Sequence, residues 1–235
     1  MSAVIVGASG GIGRALVLGL HERGYGKPIH ALSRAAVSDF PNGIVSGQID
    51  ILNEDSIKAA LQAVDAPDLV IVASGILSDG DDLQPEKSWR HQSLEAYERV
   101  FRINTFGPAL VAKHVLSAMP RQGRTVFAAL SARVGSIGDN GFGGWHAYRA
   151  SKAALNMLIR NFAIEQARKN EQSICVGLHP GTVDTGLSKP FQSNVPDKQL
   201  FTPDQSASYL LDVIEGLSPD QSGKVFDWKG EEIEP

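Results

Sequence analysis

Short apolar runs alternate with amphipathic stretches along almost the whole chain. The apolar runs predict buried strands at Val4–Val6, Ile29–Ser33, Gly43–Ile49, Asp68–Val72, Thr125–Leu130, Ile174–Leu178 and Lys224–Asp227. Between them, apolar residues recur with helical spacing from Ile12 to Gly24, Asn53 to Val64, Leu94 to Met119, Trp145 to Lys169 and Pro203 to Gly216. We therefore expect one α/β domain over residues 1–235: a doubly wound parallel sheet of about seven strands with helices on both faces.

Two stretches interrupt the alternation. Ser78 to Ser93 is polar and has no period, which predicts an excursion from the core. Leu187 to Leu200 contains Pro190 and Pro196 and is predicted to form a mobile lid over a substrate. A plain surface loop is the alternative for this second stretch.

Composition narrows the functional classes. The 235 residues carry a net charge of −4 without a cluster of basic residues, which argues against nucleic acid and anionic membranes as partners. The single cysteine, Cys175, excludes an internal disulfide framework. Neither a signal peptide nor a membrane span is indicated, so a soluble cytoplasmic protein is expected. No group of side chains has metal-ligand spacing, so no metal is predicted.

The first strand leads directly into a glycine-rich turn, Gly7-Ala8-Ser9-Gly10-Gly11-Ile12-Gly13, which opens the first helix. Glycines let the backbone approach a pyrophosphate, and the helix start offers free N–H groups and partial positive charge. This context predicts a dinucleotide site, although the spacing differs from the commoner G-x-G-x-x-G. A tight turn that binds nothing is the alternative.

The second strand ends in Ser33 and Arg34. An acidic residue at this point usually holds a free ribose 2′-hydroxyl, whereas a guanidinium suits a 2′-phosphate. We therefore expect NADPH rather than NADH, with Ser33 as an additional donor. A solvated arginine is the alternative.

Tyr148 and Lys152 lie four residues apart in a predicted helix and so share one face. A nearby ammonium favours the phenolate form of a tyrosine, whose ordinary pKa is about 10. Such a pair can pass a proton to or from an alcohol oxygen. An unrelated pair on a helix surface is the alternative that context must exclude.

Together, Gly7-xxx-Gly11-x-Gly13 and Tyr148-xxx-Lys152 resemble the single-domain, Rossmann-type branch of the short-chain dehydrogenase/reductases. The resemblance implies NADP(H)-dependent reduction of a carbonyl with Tyr148 as general acid/base. It implies that Lys152 lowers the pKa of the tyrosine and holds the nicotinamide ribose, and that Asn104 bends its helix and anchors a proton relay. It also implies a homodimer or homotetramer acting on a small molecule.

The resemblance further assigns the cofactor contacts. Asp50 meets the adenine amino group, with Ile51 beside it; Ala73-Ser74-Gly75 replaces the usual Asn-Ala-Gly; and Pro180-Gly181 with Val183 and Thr185 holds the carboxamide. The complete implied set is Gly7, Ser9, Gly10, Gly11, Ile12, Gly13, Ser33, Arg34, Asp50, Ile51, Ala73, Ser74, Gly75, Tyr148, Lys152, Pro180, Gly181, Val183 and Thr185.

The family also places a serine near the tyrosine, usually as Ser-x-x-Gly. In this chain the residue three before Gly135 is Ala132, and Ser131 lies one position farther back. Ser131 takes the role only if the strand end bends or bulges, because neighbouring strand residues point to opposite faces. Ser136 is the other candidate, and Ser131 is the one we prefer.

The segment from Ser131 to Asn156 resembles sniffer-like carbonyl reductases and bacterial C-factor-like proteins more closely. The latter are linked to cell–cell signalling. A second hypothesis is therefore a protein that binds the dinucleotide but acts mainly as a signal or binding partner, with little turnover. The identity of the substrate does not follow from these motifs.

Overall fold

The computed structural model describes residues 2–26, 28–35, 37–194 and 199–235. The strands are β1 (Ala3–Val6), β2 (Ile29–Ser33), β3 (Ile44–Gln48), β4 (Leu69–Val72), β5 (Thr125–Leu130), β6 (Ser173–His179), β7 (Thr182–Val183), β8 (Leu200–Phe201) and β9 (Val225–Asp227). The α-helices are α1 (Gly11–Glu22), α2 (Glu54–Gln62), α3 (Leu94–Phe101), α4 (Gly107–Val115), α5 (His146–Ala167) and α6 (Pro203–Gly216).

Seven strands form one sheet in the order β3-β2-β1-β4-β5-β6-β9, and every neighbouring pair is parallel. This confirms the predicted doubly wound sheet of seven strands. The chain order reverses between β1 and β4, and the carboxyl ends of these strands border the crevice where ligands bind in such sheets.

Both faces of the sheet are covered at its centre, which explains why the central strands β1 and β4 are apolar without interruption. On one face, Ile5 and Ile71 pack with Leu16 of α1 and Leu210 of α6. On the other, strand side chains of opposite orientation pack against α2, α4 and α5, as Phe127 does with residues such as Leu155.

The predicted helix from Leu94 to Met119 is divided. Its middle, Arg102–Phe106, is a π-helical turn that separates α3 from α4. Asn104 lies in this turn, in agreement with the bend expected there. A Cβ at Gly107 would lie 2.5 Å from the side chain of Ile51, so glycine allows α4 to approach closely. π-Helical turns occur frequently at functional sites.

The described parts of the two aperiodic stretches contain short ordered elements. In the first, an antiparallel bridge joins Asp79 and Leu83, and Trp89–His91 forms a 3-10 turn. In the second, β8 at the end of the stretch pairs with β7, which precedes it, and Lys189–Asn194 is 3-10 helical. Pro196 lies outside the described residues. Among the residues described, no helix has the length and apolar character needed to cross a membrane.

Candidate active site

A cavity of about 320 Å³ opens at the carboxyl ends of β1, β2 and β4. Ten of the predicted cofactor residues line it: Gly7, Ser9, Gly10, Ser33, Arg34, Asp50, Ile51, Ala73, Ser74 and Gly75. Its other lining residues were not predicted from the sequence and are mainly apolar: Val6, Ile49, Leu52, Ile76 and Ile103. A separate cavity of about 450 Å³, between α6 and the residues after β9, contains none of the predicted residues.

The glycine turn is packed too closely for side chains. Gly7 has φ +92°, a Cβ at Gly7 would lie 2.9 Å from the backbone nitrogen of Ser74, and a Cβ at Gly13 would lie 2.1 Å from the Gly7 oxygen. The helix α1 begins at Gly11 without a side-chain cap or an acidic residue in its first turn. Its amides therefore suit an anionic group such as a pyrophosphate.

The residues expected around the adenosine differ in how they are engaged. The Arg34 side chain is exposed at the mouth of the cavity. The Ser33 hydroxyl donates to the Ala35 oxygen over 2.7 Å, so it is already used locally. A carboxylate oxygen of Asp50 accepts from the Leu52 amide over 2.9 Å. The hydroxyl of Ser74 is buried and has no hydrogen-bond partner among the described residues.

Tyr148 and Lys152 lie in the first half of α5, with 9% and 3% of their surfaces exposed. Lys152 Nζ is 5.7 Å from the Tyr148 ring centroid and donates to the Leu130 oxygen over 2.8 Å. A Cβ at Gly75 would lie 3.7 Å from this nitrogen. Lys152 therefore lies next to Gly75, a residue that lines the cavity, whereas Lys152 and Tyr148 themselves are not among its lining residues.

Burial dominates the electrostatics of this pair. It raises the pKa of Tyr148 to about 12 and lowers the pKa of Lys152 to about 8. The sequence predicted a lowered tyrosine pKa, and the structure has the opposite direction because the phenol is buried. At neutral pH the tyrosine is thus protonated, which is the form that can donate a proton to a developing alkoxide.

Asn104 is fully buried and holds the segment that follows β4 in place. Its Oδ1 accepts from the Ile76 amide over 2.8 Å, and its Nδ2 donates to the Ile76 oxygen over 2.9 Å. Nδ2 also donates to Ser151 Oγ on α5 over 3.2 Å. The asparagine therefore joins the segment after β4 to the helix that carries Tyr148.

The serine candidates are engaged elsewhere. Ser131 Oγ donates to Asn156 Oδ1 over 2.6 Å, and Ser136 Oγ accepts from the Asp139 amide over 3.0 Å. The residue that packs in the apolar cluster with Tyr148 is Ala132. The proposed contact of Ser131 with a substrate oxygen remains a prediction, and it requires the bond to Asn156 to break.

An apolar cluster surrounds the tyrosine. Leu77, just before the excursion, and Leu83 within it pack in this cluster, and Trp145 lies edge-on to Tyr148 with 6.3 Å between ring centroids. The Phe191 ring, from the 3-10 turn of the second excursion, is 5.2 Å from that of Trp145. Sequence reasoning missed this aromatic group, since Trp145 was seen only as the helix start.

The segment after β6 lies beside the glycine turn. Gly181 has φ +77°, and Val183 is buried. A Cβ at Gly11 would lie 2.8 Å from the γ-methyl group of Thr185. Pro180 and Ile12 are partly buried, and the Pro180 oxygen accepts from the Ser206 hydroxyl over 2.8 Å. Thr185 therefore adjoins the start of α1.

Comparison with known proteins places this arrangement in a family. The family model described as short chain dehydrogenase matches residues 1–196. C-signal of Myxococcus xanthus is 38% identical over 135 residues, which make up 57% of this chain and 76% of that protein. The 1-hydroxy-2-glutathionyl-2-methyl-3-butene dehydrogenase of Rhodococcus sp. (strain AD45) is 29% identical over 231 residues, or 95% of this chain and 94% of that protein.

A solved structure is similar over the same length. The NADPH-bound carbonyl reductase from chicken fatty liver has a TM-score of 0.85 and 25% sequence identity, covering 100% of this chain and 94% of that one. The resemblance stated from the glycine turn and the Tyr148–Lys152 pair is confirmed.

Proposed function

The chain belongs to the short chain dehydrogenases, and we propose that it is an NADPH-dependent oxidoreductase that reduces an aldehyde or ketone to an alcohol. The observation that carries the proposal is that Lys152 of the buried Tyr148–Lys152 pair lies next to Gly75, which lines the same cavity as the exposed Arg34. The similar dehydrogenase from Rhodococcus and the NADPH-bound carbonyl reductase support the same reaction class.

The glycine turn and the start of α1 would hold the pyrophosphate, Arg34 the 2′-phosphate and Asp50 the adenine. NADPH, when bound, supplies a hydride to the carbonyl carbon. Tyr148 donates its phenolic proton to the carbonyl oxygen as negative charge develops there. Lys152 stabilises the phenolate that remains. Asn104 holds the segment around Ile76 at a fixed position relative to α5 through its hydrogen bonds.

The apolar cluster around Tyr148 excludes water from the proton transfer. This strengthens the electrostatic effect of Lys152 on the phenolate. It also requires a substrate with an apolar group next to its carbonyl, since Trp145 and Phe191 border the tyrosine.

A second candidate is the role of a dinucleotide-binding signal or binding protein with little turnover. The observations that favour it are the similarity to C-signal and the presence of Ala132, rather than a serine, beside Tyr148. In this role the dinucleotide would stabilise the fold without being consumed.

Homodimer or homotetramer formation is part of the proposal. Met157 and Ile164 on α5 are 63% and 43% exposed, and Phe106 before α4 is 52% exposed. Burial of these side chains between two copies would remove apolar surface from water. Sedimentation of the purified protein at several concentrations measures its oligomeric state.

The test of function follows NADPH absorbance with a panel of aldehydes, ketones and dicarbonyls, comparing the wild type with Tyr148→Phe. The account predicts turnover in the wild type and its loss in the variant, with NADPH affinity retained. Tight NADPH binding without turnover on any carbonyl would instead support the binding or signalling role.

A further inference from the structure

The helix α5 begins without the usual means of satisfying its first amides. Its N-cap residue Trp145 has a left-handed backbone, φ 49° and ψ 43°, and makes no side-chain cap hydrogen bond. No acidic residue lies in the first turn. The catalytic Tyr148 is the third residue of this helix, so the position of the phenol depends directly on how the helix start is held.

The missing cap is supplied by Glu86, which lies 61 residues before Ala147 in the sequence. Both side-chain oxygens of Glu86 accept from the Ala147 amide over 3.3 Å, and the Glu86 backbone oxygen accepts from the Trp145 amide over 2.6 Å. One residue thus satisfies two of the free amides at the start of α5. An acidic group at a helix N-terminus is also favoured by the helix dipole.

The conformation of the excursion places Glu86 at the start of α5. Within residues 78–93, the buried residues are Leu83 and Glu86, and Glu86 is 4% exposed. Leu83 packs in the cluster around Tyr148. Gly144 leaves room for the approach, because a Cβ there would lie 3.3 Å from the Glu86 oxygen and its φ of +67° favours glycine.

Among the described residues, the Ala147 amide is the only hydrogen-bond donor to the Glu86 side chain. Burial, and secondarily the Glu86 charge, raises the pKa of Tyr97 on α3. Tyr97 directs its hydroxyl to Gln92 Oε1 over 2.6 Å rather than to Glu86. The hydrogen-bond partners of the Glu86 side chain therefore lie at the start of α5.

We propose that Glu86 is a positioning residue for Tyr148: it caps α5 from the excursion and so fixes the phenol relative to the cavity. The kinetic part of this inference rests on the proposed reductase function. The structural part does not, because the order of the first turn of α5 can be measured without substrate or cofactor.

The experiment compares Glu86→Ala, Glu86→Gln and a control, Ser218→Ala. Ser218 caps the 3-10 turn Pro219–Gln221, which follows α6 and lies outside the Tyr148 cluster. Amide hydrogen exchange is measured over the start of α5, together with kcat, KM and NADPH affinity for a carbonyl that the wild type reduces.

For Glu86→Ala, we expect exchange in the first turn of α5 to become about tenfold faster and kcat to fall about tenfold, in keeping with a lost cap. KM and NADPH affinity should stay within about twofold, since the cavity is formed by other elements. Glu86→Gln should restore both properties because its amide oxygen can still accept from Ala147. Ser218→Ala should leave α5 exchange and kcat unchanged.

Unchanged α5 exchange in Glu86→Ala would overturn the proposal, as would a Glu86→Gln variant no better than Glu86→Ala, or an equal loss of kcat in the control. If Glu86→Ala does not fold, Glu86→Asp replaces it with the same expectations, because the shorter side chain draws the oxygens away from Ala147. If the wild type reduces no carbonyl, the proposed function fails while the exchange data still decide the role of Glu86.

Discussion

Replacing Lys152 by methionine should abolish turnover and yet stabilise the fold at neutral pH. Burial lowers the pKa of this lysine from 10.5 to about 8. At about 1.4 kcal/mol for each factor of ten, holding the ammonium inside costs about 3 kcal/mol below pH 8. Methionine has a similar length and no charge, so it removes this cost.

The gain is reduced by a lost hydrogen bond. Lys152 Nζ donates to the Leu130 oxygen, and leaving that acceptor unpaired costs about 1–2 kcal/mol. A net stabilisation of about 1–2 kcal/mol remains. For a chain of this size it corresponds to a rise in Tm of about 2–8 °C.

The pH dependence identifies the cause. Because the lower pKa belongs to the folded state, the penalty is fully present below about pH 8 and disappears as the pH rises towards 10.5, where the lysine is neutral in both states. The stability advantage of Lys152→Met should therefore shrink between these values. Turnover should be absent throughout, since nothing then stabilises the phenolate of Tyr148.

Urea unfolding at pH 7 and pH 10 measures the effect, with Lys58→Met as the control. Lys58 lies exposed on α2, and its replacement should change the free energy of unfolding by less than about 0.5 kcal/mol. A Lys152→Met protein that is less stable than the wild type at pH 7, or whose stability advantage does not change with pH, would show that burial of the Lys152 ammonium does not destabilise the fold.

Three further substitutions test separate parts of the site. Arg34→Ala should weaken NADPH binding about tenfold to a hundredfold and leave NADH binding unchanged, as measured by fluorescence titration, because a charged hydrogen bond to the 2′-phosphate is lost. Gly13→Ala should abolish dinucleotide binding, since its Cβ would lie 2.1 Å from a backbone oxygen, whereas Gly141→Ala, with open space around it, should bind normally in the same titration. Ser131→Ala should lower kcat, because Ser131 is the predicted donor to the substrate oxygen, and should lower the free energy of unfolding by about 1 kcal/mol through loss of its bond to Asn156; a loss of stability with unchanged kcat would contradict the predicted substrate contact.

The sheet could be predicted because its strands are buried on both faces. Leu69–Val72 is apolar throughout and Thr125–Leu130 is apolar after its first residue, and glycine or polar residues follow them where the chain turns. Helix ends agree to within one or two residues where a cap or a glycine marks them, as at Asn53 and Thr202.

The division of the helix around Asn104 was less accessible to sequence reasoning. Local propensity favours a continuous helix from Leu94, and the π-helical turn depends on hydrogen bonds from Asn104 to Ile76 and Ser151, which lie far apart in the chain. The local signal was the asparagine followed by Gly107. It indicated a bend in the helix but did not indicate a π-helical turn.

The parts of the site that lie within one helix or one turn could be predicted from the sequence, whereas contacts between distant segments could not. Tyr148 and Lys152 share a helix, and the glycine turn is a continuous segment. The cap from Glu86 spans 61 residues to Ala147, and nothing in the polar stretch around it distinguishes it from other surface acids. The direction of the Ser131 hydroxyl likewise depends on Asn156, which α5 brings to the end of β5.

Transfer of deuterium from NADPH labelled at the nicotinamide C4 position distinguishes a carbonyl reductase from a protein that only binds the cofactor. We expect wild-type protein to place deuterium on the carbinol carbon of the product alcohol, detected by mass spectrometry, and Tyr148→Phe to bind the labelled cofactor without forming this product. Wild-type protein that binds NADPH tightly but transfers no deuterium to any carbonyl compound would contradict the proposed reductase function.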